Sequence, residues 1–215
     1  MFLYLVRHGQ SVNNAGANDP DPRLTELGHE QARRAGAYLS GGVRLSAEEH
    51  APQPEIVIAS PMYRALQTAH IVADAIDAHP VYVRQDAHEH CGPELGSLVK
   101  ETISTEFPGV EFDPGMPDGP WWPSEPEPEE TSFARSVRVA RWLRDRYTPF
   151  EGGVALITHG TFGHHLACSL VGFPKLTTAG FAINNCGISI FHITSEFTRC
   201  WASNSTAHLE RDMVT

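Results

Sequence analysis

The sequence of 215 residues contains no apolar run long enough to cross a bilayer. Its first six residues, MFLYLV, stop at Arg7, too short and wrongly flanked for a signal peptide or a span, which predicts a cytoplasmic protein with no membrane partner. Cysteine is scarce: Cys91, Cys168, Cys186 and Cys200 lie far apart, none at the two-residue spacing of a zinc or redox motif, so buried free thiols are expected. There is also no cluster of Lys and Arg. With 16 Lys and Arg against 26 Asp and Glu, the net charge of -10 argues against a nucleic-acid partner, which would need clustered cations against its phosphates. The same charge denies anionic ligands long-range steering, so any phosphate must be held by a few cations placed locally. No internal repeat is visible, and the only compositional bias is one proline-acid run.

What is present reads as an ordinary globular chain, 41% hydrophobic and 20% charged, forming one domain over 1–215. FLYLV is a short apolar run that reads as a buried strand. A helix is predicted over 26–39, capped by Thr25 and stopped by Gly41-Gly42, then a strand over 55–59. Ser60-Pro61 opens a second helix with Ala65, Ala69, Val72, Ala73 and Ile76 at helical spacing. Further elements are a strand at 81–83, a helix over 131–147 capped by Thr131 or Ser132, a strand at 154–158 and a helix over 161–171. Strands at 187–193 and 197–202 close the chain, one of them antiparallel. The pattern predicts an α/β fold, a three-layer α/β/α sandwich on a mostly parallel sheet. Over 92–130 the periodicity fails. This proline-, glycine- and acid-rich stretch reads as an irregular lid packed over the sheet edge, because Phe107, Phe112, Trp121 and Trp122 are too much aromatic surface for a linker.

Two predicted strands end in His-Gly: His8-Gly9 and His159-Gly160. Ligands of open α/β sheets bind beyond the carboxyl ends of the strands, so these histidines can share a crevice although far apart in sequence. Arg7 adds planar donors suited to phosphate oxygens, and Arg64 sits on the first turn of the second helix, whose N-terminus adds positive potential. A single strand-end histidine is more often structural than nucleophilic; here four groups support one another.

In these segments the chain resembles the histidine phosphatase superfamily, the phosphoglycerate-mutase-like or RHG family. LVRHGQSVNN matches the opening motif through Arg7, His8, Gly9, Ser11 and Asn14, with Gln10 where glutamate is also common. Leu24, Thr25, Gly28, Gln31 and Ala32 match the next segment, Ser60, Arg64, Gln67, Thr68 and Ala69 the second arginine motif, and His159-Gly160 the second histidine motif. ETSFAR, from Glu130 to Arg135, matches a further motif loosely. The resemblance implies attack on phosphorus by His8, with Arg7, Arg64 and His159 holding the phosphoryl oxygens, and Asn14, Gln10 and Gly160 completing the phosphate site without metal or cofactor. It implies a general acid after the third strand. Glu89 stands there, with Glu94 as fallback, although Ala87 and Gly92 depart from the usual surroundings.

Other residues carry competing readings. His88, His90, His164 and His165 lack metal-site spacing and read as surface or pocket-wall residues, His164 beside the site rather than in it. Trp121 and Trp122 either line a pocket or anchor the lid. Glu125 to Glu130 reads as a solvated charge run, with Glu130 as an outside candidate for substrate contact. Asn184 and Asn185 read as turn residues before a strand, with a role in the site as the lesser alternative. The expected function is hydrolysis of a small phosphorylated metabolite. Only Lys100 lies between Glu89 and Arg135, which disfavours a mutase, and a catalytically inert phospho-ligand-binding module is the alternative from another class. Oligomeric state is open, a homodimer included.

Overall fold

The computed structural model describes residues 1–90, 98–173 and 180–215. β1 (Phe2–Arg7) leads through α1 (Glu26–Leu39) and a small ribbon of β2 (Val43–Arg44) and β3 (His50–Ala51) to β4 (Pro54–Ala59). Then come α2 (Tyr63–Ile76), β5 (Val81–Val83), α3 (Lys100–Glu106), β6 (Glu111–Phe112), α4 (Glu129–Tyr147), β7 (Gly153–Thr158), α5 (Gly160–Leu170), β8 (Ile188–Ile193) and β9 (Thr198–Ser205). The main sheet has the order β6-β5-β4-β7-β1-β8-β9. From β6 to β1 every neighbouring pair is parallel, whereas β8 pairs antiparallel with both β1 and β9.

Strand alternation splits the core between the two faces. Phe2, Tyr4, Val6, Ala155 and Ile157 pack toward α1 and α2, while Leu3, Leu5, Val154 and Leu156 pack toward α4 and α5. Both faces of β1 and β7 are therefore buried, which explains why FLYLV and VALIT read as continuous apolar runs. The architecture is the expected α/β sandwich. Among the described residues no helix is long and apolar enough to cross a membrane.

The stretch expected to be irregular is not so throughout. Residues 98–130 include α3 and the edge strand β6, which pairs with β5 through Tyr82↔Glu111 and Val83↔Phe112. α3 buries only Ile103 and β6 is two residues long, so neither leaves a readable period. The stretch is nonetheless anchored: the buried Trp121 indole donates to the Leu98 carbonyl at 2.7 Å and joins the α2-side core. Of the two tryptophan readings, the anchor holds for Trp121. The fourth helix begins at Glu129, two residues before the expected cap, with Pro128 preceding it. Cys168 and Cys186 are buried free thiols; Cys200 is exposed, because it lies on the edge strand β9, and Cys91 lies outside the described residues.

Thr25 caps α1 by accepting from the Gly28 N–H at 3.0 Å, and the loop after β1 lies directly on that first turn. A Cβ on Gly28 would stand 2.1 Å from the Gln10 carbonyl oxygen, and one on Gly9 would stand 2.4 Å from the Gly28 carbonyl oxygen. Backbone meets backbone here, so neither side can yield. Gly28→Ala should lower unfolding stability by about 1–3 kcal/mol or more in urea titration; an unchanged midpoint would contradict this packing.

Candidate active site

Sheet order converts four distant segments into neighbours. β1 and β7 run side by side with Arg7 paired to Thr158, so His8 and His159 emerge together, ring centroids 5.2 Å apart. On the other flank of β7, Ala59 pairs with Ile157, and the Ser60 N–H donates to the Ile157 carbonyl just before α2 presents Arg64. One strand further, Val83 pairs with Ala59, and the chain turns through a short 3-10 helix at Gln85–Ala87 to deliver Glu89. Arg7, His8, Arg64 and Glu89 line one cleft of about 250 Å³ with Ser11, Asn14 and His90.

His8 is buried, and its Nδ1 lies 2.7 Å from the Gly9 carbonyl. A carbonyl only accepts, so Nδ1 carries the proton and Nε2 keeps its lone pair. Arg64 Nε–H donates to that Nε2 at 3.0 Å. Burial, then the nearby Arg64 and Arg7 charges, hold the His8 pKa well below its ordinary value. The imidazole is neutral in the physiological range.

His159 is fully buried and does not itself line the cleft; it sits beside His8. Its Nε2 lies 2.7 Å from the Ser60 hydroxyl oxygen, which already accepts the Met62 N–H at 3.2 Å. The Ser60 proton has no other acceptor among the described residues, so it goes to Nε2, which leaves the His159 proton on Nδ1, a buried atom with no partner among the described residues. Burial, then the Arg64 charge, also push the His159 pKa well down.

Arg7 donates to the Ile183 carbonyl at 2.7 Å and has a buried Nε without a partner among the described residues. Asn14 has its oxygen occupied by the Ser11 N–H and hydroxyl, both at 3.0 Å, and by Asn185 at 3.3 Å, so its NH2 is the end left for a ligand. Gly160 opens α5 against the Arg7 guanidinium, about 3.6 Å from where a Cβ would stand. Glu89 reaches across to the same helix start. Its Oε2 accepts from the Thr161 N–H at 3.1 Å, and its Oε1 from Phe162 and His90 N–H, both at 2.8 Å. It caps a helix whose own N-cap, His159, offers no side-chain bond.

Several expectations need correction. Gln10 does not join the cleft: its side-chain oxygen accepts the Thr25 hydroxyl at 2.8 Å, because the loop is pinned to α1 there. Glu130 is exposed on α4 and absent from the cleft lining. The acidic run is not wholly solvated either, since the Glu127 side chain is shielded in a two-point pair with Arg135, at 3.0 and 2.6 Å. His88 and His165 are core residues rather than surface ones, while His90 does line the cleft. Among the described residues no His, Cys, Asp and Glu cluster could hold a metal. Glu94 lies outside the described residues.

Four contributors were missed as site residues. Arg135 donates to the carbonyls of Asp86 and His88, both at 2.8 Å, and so clamps the turn carrying Glu89; only the loose ETSFAR match hinted at it. Asn185 donates to the His8 carbonyl at 3.0 Å, which favours the lesser of its two readings over that of a turn residue alone. Ser60 appeared as a helix opener and as part of the second arginine motif, not as a partner of His159. Asp21 accepts the Tyr63 N–H at 3.1 Å at the start of α2 and faces Arg64 at 3.7 Å.

These features define a class: an α/β site built to receive a phosphoryl group beside an imidazole. The chain belongs to the histidine phosphatase superfamily (branch 1), whose pattern matches residues 3–206. It is similar to glucosyl-3-phosphoglycerate phosphatase of Mycolicibacterium vanbaalenii, 28% identical over 181 residues covering 80% of this chain and 75% of that protein. It also resembles the mitochondrial serine/threonine-protein phosphatase Pgam5 of Drosophila persimilis at 27% identity, over 87% of this chain but only 56% of that one. In fold it matches a mycobacterial glucosyl-3-phosphoglycerate phosphatase with a TM-score of 0.66 at 24% identity, over 95% of this chain and 99% of that one.

Two measurements probe this arrangement. Nitrogen-detected NMR should find His159 protonated on Nδ1, and Ser60→Ala should mix its tautomers; a wild-type proton on Nε2 would reverse the Ser60 hydrogen bond. Burial, outweighing the pull of Arg64, raises the Asp21 carboxyl from 3.8 to about 6. A carboxyl raised in the fold binds its proton more tightly native than unfolded, so its contribution to stability falls as pH rises through that window. Relative to wild type, Asp21→Asn should therefore gain about 1–3 kcal/mol between roughly pH 4 and 6.5 in urea unfolding. A difference between the two proteins that does not vary with pH would refute it.

Proposed function

We propose that this chain hydrolyses phosphomonoesters by way of a phosphohistidine on His8. The observation that carries the reading is the state of that imidazole: neutral, proton fixed on Nδ1 by the Gly9 carbonyl, lone pair on Nε2, with Arg64 3.0 Å away at the cleft. Nε2 attacks phosphorus in line as the ester P–O bond breaks. Arg64 turns from Nε2 to a phosphoryl oxygen, while Arg7 and the Asn14 NH2 supply further donors to the equatorial oxygens; His159, behind His8 and outside the cleft lining, offers its Nδ1–H only once a ring shift uncovers it. Arg64 must turn as substrate binds, after which the donors are in place before charge develops.

The leaving oxygen needs a proton. Glu89 Oε1 already accepts two N–H groups and Oε2 one, so Oε2 retains the position at which a proton can sit. In the first step that proton goes to the departing alkoxide. In the second, the carboxylate takes a proton from water as its oxygen attacks phosphorus, and the P–N bond breaks to return the lone pair to Nε2. The phosphatase names among the relatives accord with hydrolysis.

p-Nitrophenyl phosphate tests the reading. His8→Ala should lower kcat by more than about a thousandfold, since loss of a nucleophile removes the covalent route. Glu89→Gln should lower kcat for alkyl esters by about 10²–10⁴-fold and, because p-nitrophenolate leaves without a proton while water attack still needs the carboxylate, let phosphoenzyme accumulate with p-nitrophenyl phosphate, detected by acid-labile label on histidine. Equal, negligible phosphate release by wild type and His8→Ala would instead favour a phospho-ligand-binding module.

A further inference from the structure

We propose that the cleft selects phosphomonoesters whose leaving group carries no charge of its own, an inference that rests on the phosphatase reading above. The cations lining the cleft, among the described residues, are Arg7 and Arg64, and both stand beside His8. A dianionic phosphoryl group engages both, leaving none for a second anionic group on the same substrate.

The walls where the leaving group must lie are of another kind. Pro20, Pro22 and Met62 present apolar surface, and Asn13 is already committed, its amide bonding the Asp19 carbonyl at 2.8 Å and accepting the Asp19 N–H at 2.9 Å. That pair of bonds fixes a rim loop carrying the exposed Asp19 carboxylate, while Glu89 stands in the lining itself. Arg23 follows on the same loop but is turned away, its guanidinium 4.1 Å over the Tyr63 ring and 3.6 Å from Glu106. Of the 16 Lys and Arg residues in the chain, Lys175 alone lies outside the described residues. A carboxylate on the leaving group would thus meet acid at the rim and lose its hydration without a charged partner. An uncharged alcohol meets proline rings, the Met62 thioether, and the Ser11 and His90 side chains.

The test is a matched pair. Racemic glycerol 1-phosphate and 3-phosphoglycerate differ in a CH2OH group against a carboxylate, with the phosphate ester otherwise alike. With the full chain, kcat/KM for the glycerol ester should exceed that for the acid by at least about tenfold, the size of one missing charged hydrogen bond. Pro20→Arg, which puts a cation on the exposed rim, should move that ratio toward the acid by several-fold. Hydrolysis of p-nitrophenyl phosphate together with an equal or reversed ratio overturns the selectivity and leaves the phosphatase reading standing. Failure to hydrolyse any of the three esters sinks the phosphatase reading and this inference with it.

Discussion

The parallel pairing of β7 between β4 and β1 is the constraint from which the site follows. Inserting β7 there sets Ala59, Ile157 and Val6 level across three strands, so the chain leaves the sheet at Ser60, Thr158-His159 and Arg7-His8 along one edge. A slip of one residue in either pairing would turn the apolar alternation inside out on both faces at once. The register that satisfies the core is therefore the one that assembles the cleft. Stability and site geometry share a cause.

Placing cations in such a site is costly, and the chain meets the cost with buried carboxylates. Arg64 lies between His8 and Asp21, and Arg135 between Glu127 and the carbonyls that precede Glu89. Each arginine is held by a planar set of contacts that a lysine could not reproduce. Arg135, stacked 4.3 Å from the Phe162 ring, also joins the Glu89 turn to the start of α5, the helix that Glu89 caps. Removing Glu127 would leave the buried Arg135 charge facing carbonyls alone, so that these groups hold together as a unit.

Much of this was legible in the sequence because it rests on periodicity and strand ends. The buried strands, the helices over 26–39 and 160–170 and the meeting of His8, Arg7, Arg64 and His159 follow from apolar runs punctuated by His-Gly or Ser-Pro. What escaped has no local period. β6 and the β2–β3 ribbon are two-residue strands whose existence depends on a neighbour already in place. Asp21, Arg135 and Asn185 matter through partners 42 to 177 residues away, and side-chain bonds over such separations leave no trace in composition. Gln10 shows the converse: a polar residue adjoining the motif was drawn away by the nearer demands of capping α1.

The two histidines illustrate how one environment can give like groups unlike roles. Both are buried and both are kept neutral by burial and the neighbouring arginine charges. They differ in what holds the ring. A carbonyl faces Nδ1 of His8 and accepts a proton there, which leaves Nε2 basic; a hydroxyl faces Nε2 of His159 and donates, which leaves a proton on Nδ1. One ring keeps a lone pair to offer and the other a proton, without any difference in charge. Were either ring protonated, it would repel Arg64 and Arg7 across a few ångströms of poorly solvated space, so neutrality at both positions is a condition for bringing the arginines this close.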